Sequence, residues 1–232
     1  MTPPPADLTH VDTWLFDLDN TLYPLDSGLA LEVDRRIRDF VVRVTGLEPD
    51  EAYALQKRYL AEHGLSLTGL VKHHGVDPAD FHAIFEDLPL EMLAQDPALL
   101  AALARLPGRR LIFTNADEGH ARRVADRLGL SPLFDDIFHI GSAELEPKPS
   151  MGAFRRIIAA HAIDPTTTAF FEDAERNLRP AAELGMTTVL VGPHAPDNAA
   201  DFVHYRTERL APFLAAARTT SPLDGTIQGR RT

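Results

Sequence analysis

The stretch Thr13-Trp14-Leu15-Phe16-Asp17-Leu18-Asp19-Asn20-Thr21-Leu22 decides the fold. Its first four residues form a short apolar run that stops at an acidic, turn-rich segment. This pattern is typical of a buried parallel strand at its carboxyl end. Three further apolar runs resemble it, at residues 111–113, 168–171 and 188–191. The sequence therefore predicts four parallel strands.

Amphipathic helical patterns lie between these runs. Apolar residues recur at a spacing near 3.6 in residues 121–128 and again in residues 154–162. Strands that alternate with helices indicate a parallel sheet covered by helices on both faces. The predicted fold class is α/β, a Rossmann-like three-layer sandwich.

Residues 27–95 interrupt this alternation, because their pattern predicts helices only. The apolar stripes that carry this prediction are Val33, Ile37, Phe40 and Val44, followed by Phe81, Ile84, Phe85 and Leu88. We interpret the segment as an inserted helical cap domain, so that residues 1–26 and 96–217 form the core. The Thr-, Ser-, Pro- and Gly-rich residues 218–232 are predicted to be a mobile tail.

The composition excludes several classes of protein. Cysteine is absent, which rules out disulfides, thiolate metal sites and a cysteine nucleophile. The formal net charge of -11 argues against nucleic-acid binding, because a phosphate backbone is held mainly by a basic surface. No apolar stretch has the length needed to span a bilayer, and residues 1–12 lack a cleavable apolar signal, so we expect no membrane partner and a cytoplasmic location. The sequence carries no signal for the oligomeric state.

Polar residues follow the predicted strands, and ligand sites of parallel sheets form at the carboxyl ends of the strands. The candidates are Asp17 and Asp19 after the first strand, Thr114 and Asn115 after the second, Lys148 before a helix, and Glu172 and Asp173 after a later strand. Each group alone is ordinary loop chemistry. Together they form a complete set for phosphoryl transfer.

The segment from Asp17 to Leu22 resembles the first motif of phosphatases of the haloacid dehalogenase (HAD) superfamily, and the other three groups match its later motifs in order. The resemblance covers nearly the whole chain. Three further features look like the pyrimidine 5'-nucleotidase branch: Tyr23-Pro24, the pattern Y-x4-G-L-x3-G-L from Tyr59 to Leu70, and Leu88-Pro89-Leu90. The resemblance implies a HAD-like core with a cap. It also implies Mg²⁺-dependent hydrolysis of a small phosphomonoester, a pyrimidine nucleoside 5'-monophosphate.

The expected chemistry starts from the negative oxygens of a phosphoester, which repel a nucleophile unless other groups neutralise them. Asp17 is expected to attack phosphorus and form an aspartyl-phosphate. Asp19 is expected to protonate the leaving alkoxide and then to take a proton from the hydrolytic water. The hydroxyl of Thr114, the backbone amide of Asn115 and the charge of Lys148 are expected to bind the phosphate oxygens.

The expected metal site uses oxygen ligands, which Mg²⁺ prefers. The resemblance implies that the carboxylate of Asp17 and the backbone carbonyl of Asp19 bind the ion, and Asp173 is the expected second carboxylate. Glu172 is expected either to bind through water or to support the other ligands. Its place in a Glu-Asp order departs from the Asp-Asp pair that is common in this branch.

Several alternatives stay open from the sequence. The substrate could be another small phosphate, such as phosphoglycolate or a sugar phosphate, and a phosphosugar mutase would carry the same motifs. A haloacid dehalogenase needs no metal and typically lacks an acid at the position of Asp19, so Asp19 and Asp173 argue against it. A binding protein with a retired active site would not need the full set of catalytic groups.

Two expectations concern residues outside the motifs. Polar cap residues are the candidates for contacts to the leaving group, namely Lys72, His73, His74 and Glu86. The histidines are expected to be mostly surface or cap residues, because no pair has the H-E-x-x-H spacing of a zinc site; those considered are His63, His73, His74, His82 and His120.

Overall fold

The computed structural model describes residues 5–220. In this part of the chain, six parallel strands form one sheet in the order β3-β2-β1-β4-β5-β6. The strands are β1 (Thr13–Phe16), β2 (Arg109–Phe113), β3 (Asp136–Phe138), β4 (Thr168–Glu172), β5 (Thr187–Val191) and β6 (Tyr205–Thr207). The predicted α/β, Rossmann-like class is confirmed. The sheet adds β3 and β6 at its edges, and these three-residue strands are too short to give a periodic signal.

Helices lie on both faces of the sheet and, for residues 29–82, in a separate apolar cluster. They are α1 (Leu29–Thr45), α2 (Pro49–His63), α3 (Ser66–His74), α4 (Pro78–His82), α5 (Pro97–Ala104), α6 (Glu118–Arg127), α7 (Met151–His161), α8 (Glu175–Glu183) and α9 (Leu210–Ala216). Apolar residues of α5, α6 and α9 pack with Trp14 and Phe16 on one face. Those of α7 and α8 pack with Leu15 and Phe170 on the other face. Successive side chains of a strand point to opposite faces of the sheet, and both faces are apolar here. Each face is therefore covered by helices, which gives three layers.

Strand β1 lies in the middle of the sheet, and all four of its residues are buried. Phe16 pairs with Ile112 of β2 and with Phe171 of β4. This register brings the carboxyl ends of the three strands to one level. The residues that follow them therefore meet at the same edge of the sheet.

Helices α1 to α4 share an apolar cluster of their own, which includes Phe40, Tyr59 and Phe81. The pattern Y-x4-G-L-x3-G-L has a packing explanation here. A Cβ added to Gly69 would lie 2.3 Å from Cγ of Tyr59, so only glycine fits against the tyrosine ring. Gly64 ends α2 with a φ of +80°, a conformation that glycine adopts without steric cost.

The domain limits at residues 27 and 95 stay a prediction. Leu88 and Leu93, near the end of the predicted cap, pack with the residues around the sheet. The predicted mobile tail lies outside the described residues from position 221 onward. At its first position, Arg218 donates its backbone N–H to the carbonyl of Ala6 at 2.8 Å. Within residues 5–220, no helix is long and apolar enough to cross a membrane.

Candidate active site

A buried ammonium group lies at the carboxyl edge of the central strands. Nζ of Lys148 donates hydrogen bonds to Oδ1 of Asp17 at 2.7 Å, to Oε2 of Glu172 at 2.8 Å and to the carbonyl of Phe113 at 2.7 Å. Lys148 is 1% exposed. The three acceptors come from the ends of β1, β4 and β2, so the sheet register creates the lysine site.

The charges of this centre are not balanced. Burial alone would lower the pKa of the Lys148 ammonium, but Asp17 and Glu172 more than offset burial and raise the pKa above its usual range. Burial and repulsion from Glu172 raise the pKa of Asp17 to about 7 against the opposing effect of Lys148. The same two causes raise the pKa of Asp173 to about 9. Three carboxyl groups thus share one ammonium and favour a further positive charge.

A cation would find oxygen ligands at this place. Asp17, Glu172 and Asp173 each offer an oxygen, and these three oxygens lie within 4.8 Å of one another. Hard divalent cations such as Mg²⁺ take carboxylate oxygens in small clusters of this kind. Both oxygens of Glu172 already accept hydrogen bonds, one from Lys148 and one from the backbone N–H of Ala174 at 3.1 Å. Asp173 is half-buried and lines a cavity beside the centre.

The segment that carries Lys148 is held in place by Asn115. The side-chain Nδ2 of Asn115 donates to the carbonyl of Lys148 at 3.1 Å, and its Oδ1 accepts from the backbone N–H of Lys148 at 2.8 Å. A Cβ at Gly64, at the end of α2, would lie 3.1 Å from the same carbonyl. The side chain of Asn115 therefore positions Lys148, a contact that the sequence did not predict. Thr114 is buried beside it.

Asp19 lines a cavity together with residues of the helices in segment 27–95. Its Oδ1 accepts hydrogen bonds from the hydroxyl of Tyr23 at 2.7 Å and from Nε2 of His120 at 3.1 Å. Burial would raise the pKa of Asp19, but His120 and Tyr23 outweigh it and hold the pKa below its usual range. The structure thus places the predicted residues Asp17, Asp19 and Lys148 at one edge of the sheet.

His120 is buried beside Asp19, whereas the sequence predicted that the histidines are mostly surface or cap residues. It is 4% exposed and sits in the first turn of α6, where Oδ1 of Asp117 caps the helix by accepting from the backbone N–H of His120 at 3.0 Å. Burial lowers the pKa of its imidazole, but Asp19 reverses the effect and raises it. The signal in the sequence was its position shortly after Thr114 and Asn115, in the first turn of the helix that follows β2.

A cavity of about 460 Å³ extends from Asp19 into the helices of the segment 27–95. Most of its lining is apolar, from residues that include Leu31, Ile37 and Phe81. The polar part of the lining on the helical side comes from Asp34, Gln56, Lys57, Ser66 and His82. The candidates Lys72, His73, His74 and Glu86 are exposed and lie outside this lining. A helical polar pattern marks polar residues but does not show which of them face a cavity.

The fold and the site define an α/β protein with a carboxylate and lysine centre at the carboxyl edge of a parallel sheet. A family described as haloacid dehalogenase-like hydrolase matches residues 11–185. The chain therefore belongs to the haloacid dehalogenase-like hydrolases.

A curated relative is Phosphate metabolism protein 8 of Saccharomyces cerevisiae. It is 31% identical over 193 residues, which are 76% of this chain and 60% of the yeast protein. The chain thus spans about three fifths of that relative's length.

Two solved structures share the fold. A HAD phosphatase from Thermococcus onnurineus has a TM-score of 0.65 at 20% identity, and the match covers 90% of this chain and 100% of that chain. L-2-haloacid dehalogenase from Xanthobacter autotrophicus has a TM-score of 0.55 at 15% identity, and the match covers 88% of this chain and 97% of that chain. Because one fold serves both proteins, the site has to indicate the reaction.

Proposed function

We propose that the protein is a Mg²⁺-dependent phosphomonoester hydrolase that acts through an aspartyl-phosphate on Asp17. The observation that carries this proposal is the buried Lys148 ammonium, which contacts both Asp17 and Glu172. A phosphate placed beside Asp17 would meet this fixed positive charge without reorganisation of the site. Fixed charge of that kind stabilises the transition state of phosphoryl transfer.

Two carboxyl groups divide the chemistry. Asp17 attacks phosphorus, the bond to the leaving oxygen breaks, and Asp19, whose protonated form is favoured by the negative charge of the bound phosphate, gives its proton to the leaving alkoxide. Asp19 then takes a proton from water as the water oxygen attacks phosphorus, which releases phosphate and restores Asp17. Thr114 and Lys148 bind the phosphate oxygens. Asn115 contributes its backbone N–H, because its side chain is committed to the backbone of Lys148.

The metal ligands in this proposal are Asp17, Asp173 and the backbone carbonyl of Asp19. The excess of buried carboxyl groups over ammonium groups supports a cation at this place. When bound, Mg²⁺ supplies positive charge to the phosphate and to the carboxylates. Glu172 supports the site through Lys148 and Ala174, since both of its oxygens accept hydrogen bonds there.

The proposed substrate is a pyrimidine nucleoside 5'-monophosphate. The cavity beside Asp19, about 460 Å³, is in the range of pockets that enclose a small organic molecule and is much larger than glycolate needs. Its mostly apolar lining suits the faces of a planar base better than the hydroxyl groups of a sugar, which need polar partners. The branch features at Tyr23-Pro24 and at residues 59–70 also support this substrate.

Contacts to the base are proposed for Asp34, Gln56 and Lys57. Nζ of Lys57 binds both carboxylate oxygens of Asp34, at 2.7 and 2.6 Å, and Nε2 of Gln56 donates to Oδ1 of Asp34 at 2.7 Å. This polar group lies in a wall whose lining is mostly apolar. The group of Asp34, Gln56 and Lys57 can offer both a hydrogen-bond donor and a hydrogen-bond acceptor to the polar edge of a nucleotide base.

The test compares kcat/KM for uridine, cytidine, adenosine and guanosine monophosphates with phosphoglycolate and a hexose phosphate, with and without Mg²⁺. Pyrimidine nucleotides should be the best substrates, and Lys57→Met should reduce their kcat/KM about tenfold. Lys72→Met is the matched control, because Lys72 is exposed outside the cavity lining. A tenfold advantage of phosphoglycolate or the hexose phosphate over every nucleotide would reject the nucleotide substrate. Full activity in chelator would reject the metal.

A further inference from the structure

The carboxylate of Asp19 is held by two donors that converge on one oxygen. The hydroxyl of Tyr23 lies 2.7 Å and Nε2 of His120 lies 3.1 Å from Oδ1. Among the hydrogen bonds of residues 5–220, none uses Oδ2 of Asp19. The side chain of Asp19 is 34% exposed and lines the cavity. One oxygen is therefore fixed by protein groups while the side chain stays open to a ligand.

Both donors are themselves rigidly placed. Tyr23 is 5% exposed and packs in the cluster around the sheet. His120 is fixed by the start of α6, which is capped by Asp117, and its ring lies 6.0 Å from the ring of Phe85 on the cap side. Both side chains are buried and both donate to Oδ1, so the two donors define one orientation of Asp19.

Packing does not explain why a histidine occupies position 120. Its Nδ1 is buried and has no hydrogen-bond partner among the described residues. Leaving a buried polar atom unpaired costs about 1–3 kcal/mol, a cost that an apolar side chain of similar size would avoid. The contact with Asp19 is the one hydrogen bond of the imidazole in the described part of the chain. The histidine is therefore explained by Asp19.

We infer that His120 and Tyr23 are positioning residues that fix Oδ1 of Asp19, so that Oδ2 carries the proton to the leaving group and later from the water. The inference rests on the acid and base role proposed for Asp19. A carboxylate without these donors would rotate about its side-chain bonds, and misplacement by about 1 Å costs on the order of 10²-fold in rate.

The test separates the two chemical steps with p-nitrophenyl phosphate. Its leaving group departs without a proton, so formation of the aspartyl-phosphate does not need Asp19, whereas hydrolysis of this intermediate does. For His120→Ala we expect a burst of nitrophenolate within about threefold of the wild-type rate, followed by steady-state turnover lowered about 10- to 100-fold. Turnover of uridine monophosphate should fall by a similar factor with little change in KM.

Rescue and control variants distinguish positioning from a structural defect. His120→Gln keeps a donor near the place of Nε2 and should recover steady-state turnover to within about fivefold of wild type. His161→Ala, on α7 and away from the cavity, should behave as wild type. In the background of Asp19→Asn, His120→Ala should add no further loss, because it acts through Asp19.

The outcomes decide between clear alternatives. Equal losses in the burst and in the steady state would overturn the inference, as would a failure of His120→Gln to recover activity. Should His120→Ala not fold, Tyr23→Phe carries the same comparison of burst and steady state, because it removes a single hydroxyl. Wild-type turnover of Asp17→Asn would instead reject the proposed function, and that result is independent of the His120 variants.

Discussion

Asp17→Asn is expected to abolish turnover and also to stabilise the metal-free protein at pH 8. An amide cannot attack phosphorus, so activity is lost. The stability gain has a different origin. Asp17 is 6% exposed and shares one ammonium with two other carboxyl groups, Glu172 and Asp173. Asparagine has nearly the same size but no charge, so the substitution removes repulsion and leaves no large cavity.

The magnitude follows from the raised pKa of Asp17. Burial and Glu172 raise this pKa from 3.8 to about 7. When the pKa of a carboxyl group is higher in the folded than in the unfolded protein, the folded protein is most stable at low pH. It loses stability as the pH rises from the pKa in the unfolded protein to the pKa in the folded protein. The free energy of unfolding therefore falls between about pH 4 and pH 7. By pH 8 the loss is complete and is on the order of 4 kcal/mol. The variant should recover about 2–4 kcal/mol at pH 8 and only about 1 kcal/mol at pH 4.5.

The assay is urea unfolding of wild type and variant in chelator at both pH values. Asp26→Asn is the control, because it removes the same formal charge at an exposed position. A gain of equal size at pH 4.5 and pH 8 would show that the carboxylate charge is not its cause. No gain at pH 8 would refute the reasoning altogether.

Three further predictions concern the same centre. Asp19→Asn should lower kcat/KM of alkyl phosphates on the order of 10²- to 10⁴-fold and that of aryl phosphates less, because kcat/KM reports formation of the aspartyl-phosphate; equal losses would contradict its acid role. Asp173→Ala should raise the Mg²⁺ concentration for half-maximal activity far more than Glu172→Ala; equal shifts would make Glu172 a direct ligand. Lys148→Met should destabilise the metal-free protein by about 3–5 kcal/mol in urea, because it leaves buried carboxylates unpaired, and adding Glu172→Gln should return part of that loss. Strict additivity of these two changes would count against their charge coupling.

The fold class was predictable because its signals are local. An apolar run such as Trp14-Leu15-Phe16 followed by Asp17 shows a strand buried on both faces and the end at which it stops. The parallel register then forces the strand ends together, so Asp17, Thr114 and Glu172 lie at one edge whatever the details of packing. The sequence did not predict the edge strands β3 and β6, because three residues are too few to show a periodic pattern.

Only the tertiary structure determined which side chains contact one another at this edge of the sheet. The sequence shows that Lys148, Asn115 and His120 are polar. It does not show their hydrogen-bond partners, which lie 131, 33 and 101 residues away in the chain. The same holds for the cavity, where Lys57 belongs to the lining and Lys72 does not, although both are lysines of helices in one segment. Periodicity reports which side of a helix is apolar. The packing of helices against the sheet determines which polar groups are enclosed with the site and which remain in water.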